Sequence, residues 1–273
     1  MEIAPIVKWA GGKRQLLDRL LERIPKEYNN YFEPFIGGGA FLFGLQPGAA
    51  TINDINKELI NLYTTIKDSP AQFLALLDEI DNVNCDKDFY YSQREKYNQK
   101  LINKEEDPEL AALFVWLNKH CFNGLYRVNQ KGLFNVPYNN KKGISESADK
   151  ENIYGISEYL KTVNIMCGDF EKSVETAEPG DFIYFDSPYA PINPTSFVDY
   201  TATGFSEEDH IRLSETFKRL AKSGCYCMLS NHDVPLIREL YNDYNIESVD
   251  VKRMINSDAS NRTGTEVIIR NYI

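Results

Sequence analysis

The chain has 273 residues, enough for one large domain or for a core domain with a smaller second one. Its 42% hydrophobic and 26% charged residues are ordinary for a globular protein, and no apolar run approaches the ~18 residues of a membrane span. The formal net charge of -10 argues by itself against a nucleic-acid partner. Net charge is only a sum, however, so the positions of the basic residues matter more.

The N-terminus, cysteines and histidines indicate a cytoplasmic protein without a metal site. The first residues, Met1 to Pro5, lack the basic and apolar regions of a signal peptide. The five cysteines are odd in number, irregularly spaced and without a C-x-x-C pair, which is typical of reduced thiols. The three histidines lie far apart, and none is paired with acids at ligand spacing. We therefore expect no metal and no membrane association.

The first part of the chain predicts helices alternating with strands. A loop-like stretch at residues 8–14 precedes leucines that recur at helical spacing from Leu16 to Ile24. A short strand at 31–36 runs into Gly37-Gly38-Gly39, and a second strand from residue 50 ends on Asp54. A helix is predicted after each of these two strands.

The texture changes between residues 68 and 160. Apolar helical stretches alternate there with polar ones, and the strand–helix alternation stops. A β-hairpin is predicted around Tyr126 to Pro137, with Gly132 near its turn. The pattern therefore predicts an inserted, mainly helical domain at 68–160 and a catalytic and cofactor-binding domain at 1–67 and 161–273.

Strands and helices alternate again after residue 160. Ser206 followed by three acids predicts a helix start. This alternation implies an α/β fold with a mostly parallel, doubly wound, Rossmann-like sheet. Strands are predicted at residues 163–167, 182–185 and 225–229, with an antiparallel pair formed by 246–251 and 266–272.

The notable polar residues all follow predicted strands. Ligands bind at the carboxyl ends of parallel strands, where Gly37-Gly38-Gly39, Asp54, Asp169 and Asp186 are expected. A glycine-rich turn admits a ligand close to the backbone, and an acid ending the next strand accepts hydrogen bonds from ribose hydroxyls. Together they indicate a nucleoside cofactor, although the turn lacks both the G-x-G-x-x-G spacing and the Lys-Ser/Thr of a phosphate loop.

Several motifs carry a family resemblance. Phe35-Ile36-Gly37-Gly38-Gly39 looks like the F-x-G-x-G cofactor motif of S-adenosylmethionine-dependent methyltransferases, and Asp186-Ser187-Pro188-Tyr189 is similar to their D-P-P-Y catalytic motif. The segments at 8–13, 53–56 and 123–127 resemble parts of the Dam family of DNA adenine-N6 methyltransferases. The order of the motifs also matches, and the resemblance spans nearly the whole chain.

The resemblance implies methyl transfer from S-adenosylmethionine to a flipped adenine in double-stranded DNA. Asp186 and the main-chain carbonyl of Ser187 would each accept a proton of the amino group and stabilise its growing positive charge. Pro188 would stiffen the turn, and Tyr189 would offer a stacking face. The family has proline where Ser187 stands, which removes a rigid φ angle. We expect activity to survive, and a natural, engineered or decayed variant fits this sequence equally well.

The resemblance also implies the binding residues. Leu125, Arg127 and Pro137 fall on target-recognition positions, which implies a GATC-like site, since arginine can read guanine in the major groove. The implied cofactor contacts are Trp9, Lys13, Phe35, Gly37, Gly39, Asp54, Asp169, Phe170 and Asp186. The expected DNA contacts are Leu125, Arg127, Lys131, Pro137, Lys141 and Lys142.

Alternative interpretations remain open at this point. The chain fits a DNA-binding homologue that has lost catalysis, with Ser187 as the lesion. It fits less well a protein glutamine methyltransferase, a family that generally carries asparagine where this chain has Asp186. A generic nucleotide-binding domain is a further alternative. We expect a monomer, and the pattern leaves open a restriction-modification, housekeeping or phage role.

Overall fold

The structure is a computed structural model that describes residues 2–9, 16–192, 204–252 and 263–273. It has a mixed α/β fold with a seven-stranded sheet, as the alternation predicted. The chain divides into two compact units, and the predicted domain boundaries near residues 68 and 160 stay a prediction. Unit 1 consists of Met1–Gly12, Gly37–Gln46 and Asp54–Cys167, and unit 2 of Lys13–Ile36, Pro47–Asn53 and Gly168–Ile273.

The described residues form ten α-helices and seven strands. The helices are α1 (Leu17–Leu21), α2 (Ala40–Leu45), α3 (Lys57–Asp68), α4 (Pro70–Asp81), α5 (Lys87–Asn103), α6 (Pro108–His120), α7 (Lys150–Leu160), α8 (Phe170–Ser173), α9 (Glu207–Lys222) and α10 (Pro235–Leu240). The strands are β1 (Tyr31–Glu33), β2 (Ala50–Asp54), β3 (Val163–Cys167), β4 (Phe182–Phe185), β5 (Tyr226–His232), β6 (Asn245–Lys252) and β7 (Thr263–Arg270).

The strands of unit 2 follow the order β2-β1-β4-β5-β7-β6. Neighbours among β2, β1, β4 and β5 are parallel, whereas β7 runs antiparallel to both β5 and β6. The predicted antiparallel pair is thus present. Because β7 lies between β5 and β6, residues near the C-terminus of the chain come next to the end of β5.

The core of unit 2 lies around β4. All four of its residues are buried, which explains why an uninterrupted apolar run forms this strand. Helix α9 packs Leu213, Phe217 and Leu220 into the same core. It begins at Ser206 as predicted, because the Ser206 hydroxyl accepts the Asp209 N–H while the Asp209 carboxylate accepts the Ser206 N–H.

The core of unit 1 is built around α6. Its residues 110–118 are all buried, which is typical of a helix that other helices surround. Asp107 caps the helix by accepting the Leu110 N–H, and Pro108 occupies its first turn. Lys100 of α5 is nearly buried and pairs with Glu105, Asp107 and Glu109, which fixes the start of α6 against α5.

The hairpin predicted within residues 126–137 consists of two antiparallel arms that are not regular strands. Val128 pairs with Phe134 at an isolated bridge, and the Asn135 N–H donates to the Arg127 carbonyl at 3.1 Å. The Asn129 side chain accepts the N–H groups of Lys131 and Leu133, which closes the turn before Gly132 and Leu133. Side chains at the tip of this turn are therefore held by local backbone contacts.

Two general features were searched for within the described ranges. No helix there combines the length and the apolar character needed to cross a membrane. In the same part of the chain, no three histidine, cysteine, aspartate or glutamate side chains come together as metal ligands would.

Candidate functional site

The Asp186 carboxylate stands at the end of β4 in unit 2 and is held from the neighbouring strand. The Ser230 hydroxyl of β5 donates to Asp186 Oδ1 at 3.1 Å, and it also lies 2.8 Å from the Tyr184 hydroxyl. Ser230 is fully buried, whereas Asp186 is partly exposed. The carboxylate therefore has a fixed orientation and an accessible side, as a group that accepts a substrate proton requires.

Ser187 is enclosed in the same turn, with 2% of its surface exposed. The side-chain amide of Asn231 donates to the Ser187 hydroxyl at 3.4 Å. The other end of that side chain, Asn231 Oδ1, accepts the N–H groups of Ala190 and His232, each at 2.9 Å. Asn231 thus fixes both ends of the turn, and the serine hydroxyl has a protein partner in its buried position.

The Tyr189 ring is fixed by two residues from other strands. Its hydroxyl donates to Glu266 of β7 at 2.9 Å, and the His232 ring lies edge-on to it at 4.8 Å. Burial raises the pKa of Tyr189 well above its ordinary value, and the carboxylates of Asp186 and Glu266 raise it further. The phenol is therefore neutral at physiological pH and its ring has one orientation.

Three aromatic rings of unit 2 form a cluster near Asp169. Phe35 stacks on Phe170 with 5.3 Å between the ring centroids, and Phe205 meets Phe35 edge-on at 5.9 Å. Phe170 is buried, whereas Phe35 and Phe205 are partly exposed. Asp169 caps α8 by accepting the Glu171 N–H at 3.0 Å. The cluster offers a partly open aromatic surface beside a carboxylate.

Arg212 and Asn53 support this cluster and were not predicted. The Arg212 guanidinium pairs with Asp169 and Glu171 at 3.0 and 3.1 Å and lies 5.0 Å from the centroid of Phe170. The side-chain amide of Asn53 donates to two carbonyls, those of Pro34 and Gly168. It therefore joins the segment after β1 to the segment before α8.

The glycine turn belongs to unit 1 and is closed by Asp54. The Gly37 N–H donates to Asp54 Oδ2 at 3.0 Å, and the Asn56 N–H donates to Asp54 Oδ1 at 2.9 Å. Burial raises the pKa of Asp54, and these backbone N–H groups partly oppose that rise. The Tyr63 hydroxyl donates to the Gly37 carbonyl at 2.8 Å. Asp54 thus shapes the turn in addition to presenting a carboxylate.

The turn needs glycine at two positions. Gly37 and Gly39 have φ angles of +47° and +73°, in the left-handed region that glycine adopts without strain. A Cβ atom at Gly39 would lie 2.8 Å from the Phe43 ring and 3.0 Å from the Tyr63 hydroxyl. The backbone is therefore pressed against α2 and α3, which leaves its other side for a ligand.

Trp9 contacts the glycine turn and the aromatic interior of unit 1. Its indole stacks on Tyr126, with 5.2 Å between ring centroids, and a Cβ atom at Gly37 would lie 3.0 Å from it. Lys13, the other cofactor residue predicted near the N-terminus, lies outside the described residues.

The residues predicted to contact DNA lie in one segment of unit 1, and most of them are exposed. Leu125 is half-buried, and Arg127 directs its Nε to Asn135 Oδ1 at 2.8 Å. Phe122, which the sequence analysis did not select, is 51% exposed, and the next residue, Asn123, has a φ angle of +58°. The exposed predicted residues are Arg127, Lys131, Pro137, Lys141 and Lys142.

Comparison with known proteins gives a family match over most of the chain. The model of the D12 class N6 adenine-specific DNA methyltransferases matches residues 9–255. The chain belongs to this family. It is therefore an adenine-specific DNA methyltransferase that depends on S-adenosylmethionine, which confirms the predicted activity and cofactor.

Three relatives show how far the family likeness extends. The type II methyltransferase M1.LlaDCHI of Lactococcus lactis subsp. cremoris is 46% identical over 100% of this chain and 96% of its own length. Type II methyltransferase M.MjaIII of Methanocaldococcus jannaschii is 41% identical over the whole of both chains. DNA adenine methylase of Escherichia coli K12 is 32% identical over 97% of this chain and 94% of its own length.

Proposed function

We propose that the chain methylates the N6 atom of an adenine in double-stranded DNA and that Asp186 and the Ser187 carbonyl accept the protons of the amino group. The observation that supports this assignment is the fixed turn after β4. Asp186 is held by Ser230, and the turn around Ser187 is held by Asn231. Acceptors that are already oriented before reaction stabilise a developing charge without a further reorganisation cost.

Two acceptors are what this chemistry needs. The lone pair of an adenine amino nitrogen is delocalised into the ring, so the nitrogen attacks poorly. Accepting both of its protons holds the nitrogen closer to tetrahedral geometry and stabilises its positive charge as the new N–C bond forms. S-adenosylmethionine supplies an electrophilic methyl group on a positively charged sulfur, and its S–C bond breaks as the N–C bond forms. Asp186 is placed to take the released proton, which then passes to water.

We assign the target base to the face of Tyr189. The base must leave the duplex stack before its amino group can be reached. Tyr189 is anchored through its hydroxyl to Glu266 and through its edge to His232, so the ring cannot rotate away. A neutral, fixed aromatic ring beside Asp186 suits an unpaired base.

We assign the cofactor to two sets of residues, both of which serve the one reaction of the family. In unit 1 they are Trp9, Gly37, Gly39 and Asp54. The positive φ angles of the turn and its carboxylate support this, since they suit close approach of a nucleoside and its ribose hydroxyls. In unit 2 they are Phe35, Asp169, Phe170 and Asp186, and Lys13 completes the assignment.

We assign DNA recognition to the segment from Leu125 to Lys142, with a GATC-like target. The exposure of Arg127 and of the nearby lysines supports contact with a nucleic acid despite the acidic composition of the chain. Asn135 orients the Arg127 guanidinium, which suits a bidentate contact to guanine. We further propose that the protein acts as a monomer on one strand at a time, which light scattering on the free protein checks.

The decisive experiment is methyl transfer from labelled S-adenosylmethionine to two duplexes, one with GATC and one with a scramble that preserves its adenines. We expect label on adenine N6 of the GATC duplex alone. Methylation of plasmid DNA without GATC would overturn the target assignment and leave the chemistry standing.

The variant Ser187→Pro tests the alternative of an impaired enzyme. If the unchanged chain is inactive and the variant methylates DNA, the serine is a lesion on a competent scaffold. If neither protein methylates any DNA, the proposed reaction is wrong for this chain.

A further inference from the structure

Residues 7–9, here called the N-terminal strap, lie against the glycine turn within unit 1. A Cβ atom at Gly37 would come 3.0 Å from Trp9 Cδ1, and one at Gly38 would come 3.1 Å from Trp9 Cβ and 3.6 Å from the Val7 carbonyl. These distances leave no gap between strap and turn. A shift of the strap therefore changes the space at Gly37 and Gly38, where we place the cofactor.

The N-terminal strap also lies against residues 124–126, which lead into the recognition segment. The Trp9 indole stacks on Tyr126, whose neighbour in the chain is Arg127. Gly124 has a φ angle of +67°, and a Cβ atom there would lie 2.5 Å from Lys8 Cδ. The same three residues are thus packed against both regions.

Asn118 of α6 fastens this contact from below. Its side chain accepts the Lys8 N–H at 2.8 Å and donates to the carbonyls of Lys8 and Gly124, each at 3.0 Å. With 5% of its surface exposed, it makes these bonds in a largely dry environment. Loss of one partner there would leave backbone groups unsatisfied, so the strap and residue 124 hold one arrangement.

We propose that Asn118 is a positioning residue that couples cofactor binding at the glycine turn to DNA binding by the recognition segment. Ordering of the strap by either ligand prepares the contacts that the other ligand uses, so each ligand tightens the binding of the other. This inference rests on the proposed function, because it needs the cofactor at Gly37 and DNA at Arg127.

The test is the affinity of the full chain for S-adenosylhomocysteine, measured by calorimetry with and without a saturating duplex that the chain methylates. The ratio of the two dissociation constants is the coupling factor. Typical coupling between sites predicts a factor of about 5 to 150 for the unchanged protein. We expect Asn118→Asp, which keeps the acceptor for Lys8 N–H and loses both donations, to bring the factor close to one.

A matched control exists at Asn152 of α7. Its side chain accepts the Ala4 N–H and donates to the Ala4 carbonyl, each at 2.9 Å, so it clamps the same N-terminal segment four residues earlier. Asn152→Asp should keep the coupling factor of the unchanged protein. Equal loss of coupling in both variants would overturn the assignment to Asn118.

A second variant covers the case in which thermal melting shows that Asn118→Asp does not fold. Tyr126→Leu removes the ring that stacks on Trp9 and keeps the bonds of Asn118, and it should also lower the coupling factor. With both ligands saturating, its rate of methyl transfer should change by no more than about threefold, since the residue acts on binding. A folded variant with unchanged coupling would overturn the proposal.

Two outcomes for the unchanged protein separate the inference from the proposed function. If it binds both ligands independently, only the coupling is wrong. If it binds no S-adenosylhomocysteine and methylates no DNA, the proposed function and the coupling are both wrong.

Discussion

The turn after β4 in unit 2 and the segment from Phe122 to Lys142 in unit 1 have opposite constructions. In the turn, the side chains of Asp186, Ser187 and Tyr189 each have a hydrogen-bond partner on β5 or β7. In the segment, the basic side chains point outward, and the turn at its tip is held mainly by its own backbone and by Asn129. One region is fixed by the sheet, and the other presents side chains to a partner.

The difference follows from what each region is proposed to do. Charge stabilisation in a reaction needs groups that are oriented beforehand, because reorganisation would add to the barrier. Reading a DNA sequence needs side chains that reach base edges and phosphates outside the protein. Substitutions in the fixed turn should therefore lower the rate, whereas substitutions in the outward segment should change specificity and salt dependence.

The largest effect is expected for Asp186→Asn. The amide replaces a charged acceptor by a neutral one, and the hydrogen bond from Ser230 can persist, so the fold should be retained. Loss of one oriented electrostatic group typically lowers kcat by about 10² to 10³. Single-turnover methyl transfer measures this, with the melting temperature as a check on folding.

Asp243→Asn is the matched control for Asp186→Asn, since Asp243 is an exposed aspartate of the same unit. It should leave the rate unchanged. A rate for Asp186→Asn close to that of the control would remove Asp186 from the chemistry.

Asp54→Asn extends the comparison to the other fixed turn. One of the two oxygens that accept backbone N–H groups becomes an NH₂ group, so either the turn or a ribose contact loses an acceptor. A hydrogen bond to a charged group is worth about 1.5–3 kcal/mol, so the Kd for S-adenosylmethionine should rise roughly 10- to 150-fold. Calorimetry measures it, and an unchanged Kd would contradict the assignment.

The pH dependence of cofactor binding sharpens this result. Burial raises the pKa of Asp54, so protonation on acidification begins at a higher pH than for an ordinary aspartate. Because the carboxylate form is the acceptor, affinity should fall as the pH is lowered through that raised pKa. The Asp54→Asn variant should lack this part of the pH profile.

The sequence was informative where a function follows a strand in the chain. The alternation of strands and helices predicted that the glycine turn, Asp54 and Asp186 come at strand ends, and β1, β2 and β4 end next to these residues. The family motifs then gave the activity. Both signals are local, which is why they could be read without a structure.

The supporting residues could not be predicted, because they come from distant parts of the chain. Glu266 is 77 residues from Tyr189 and comes close because His232 of β5 pairs with Glu266 of β7. Ser230 and Asn231 end a strand that looks like any buried strand. The polar Ser230-Asn231-His232 ending was the only signal in the local pattern, and its partners depend on strand order.

Arg127→Ala should act on specificity with little effect on the fold of the exposed segment. A bidentate contact to guanine is worth about 1–3 kcal/mol of discrimination, so the preference against one altered base pair should fall by that amount. Methylation of duplexes with single base-pair changes measures it.

Lys131→Ala provides the contrast within the same turn. A lysine that contacts phosphate should weaken binding about equally for all sequences and reduce the salt slope by about 1. If Arg127→Ala behaves in the same way, Arg127 is a phosphate contact and the reading of the target must come from other residues.

The smallest effect is expected for Ser187→Ala, which is nevertheless the sharpest test of the fixed turn. The proposed acceptor at this position is the main-chain carbonyl, and alanine keeps it. The lost hydrogen bond from Asn231 is long, at 3.4 Å, so its removal should cost at most about 1 kcal/mol and lower the melting temperature by about 2–4 °C. The methylation rate should stay within a few-fold of that of the unchanged chain. A large loss of rate without loss of stability would mean that the serine hydroxyl itself takes part in the reaction, and the position at which this chain departs from the family motif would then be a functional one.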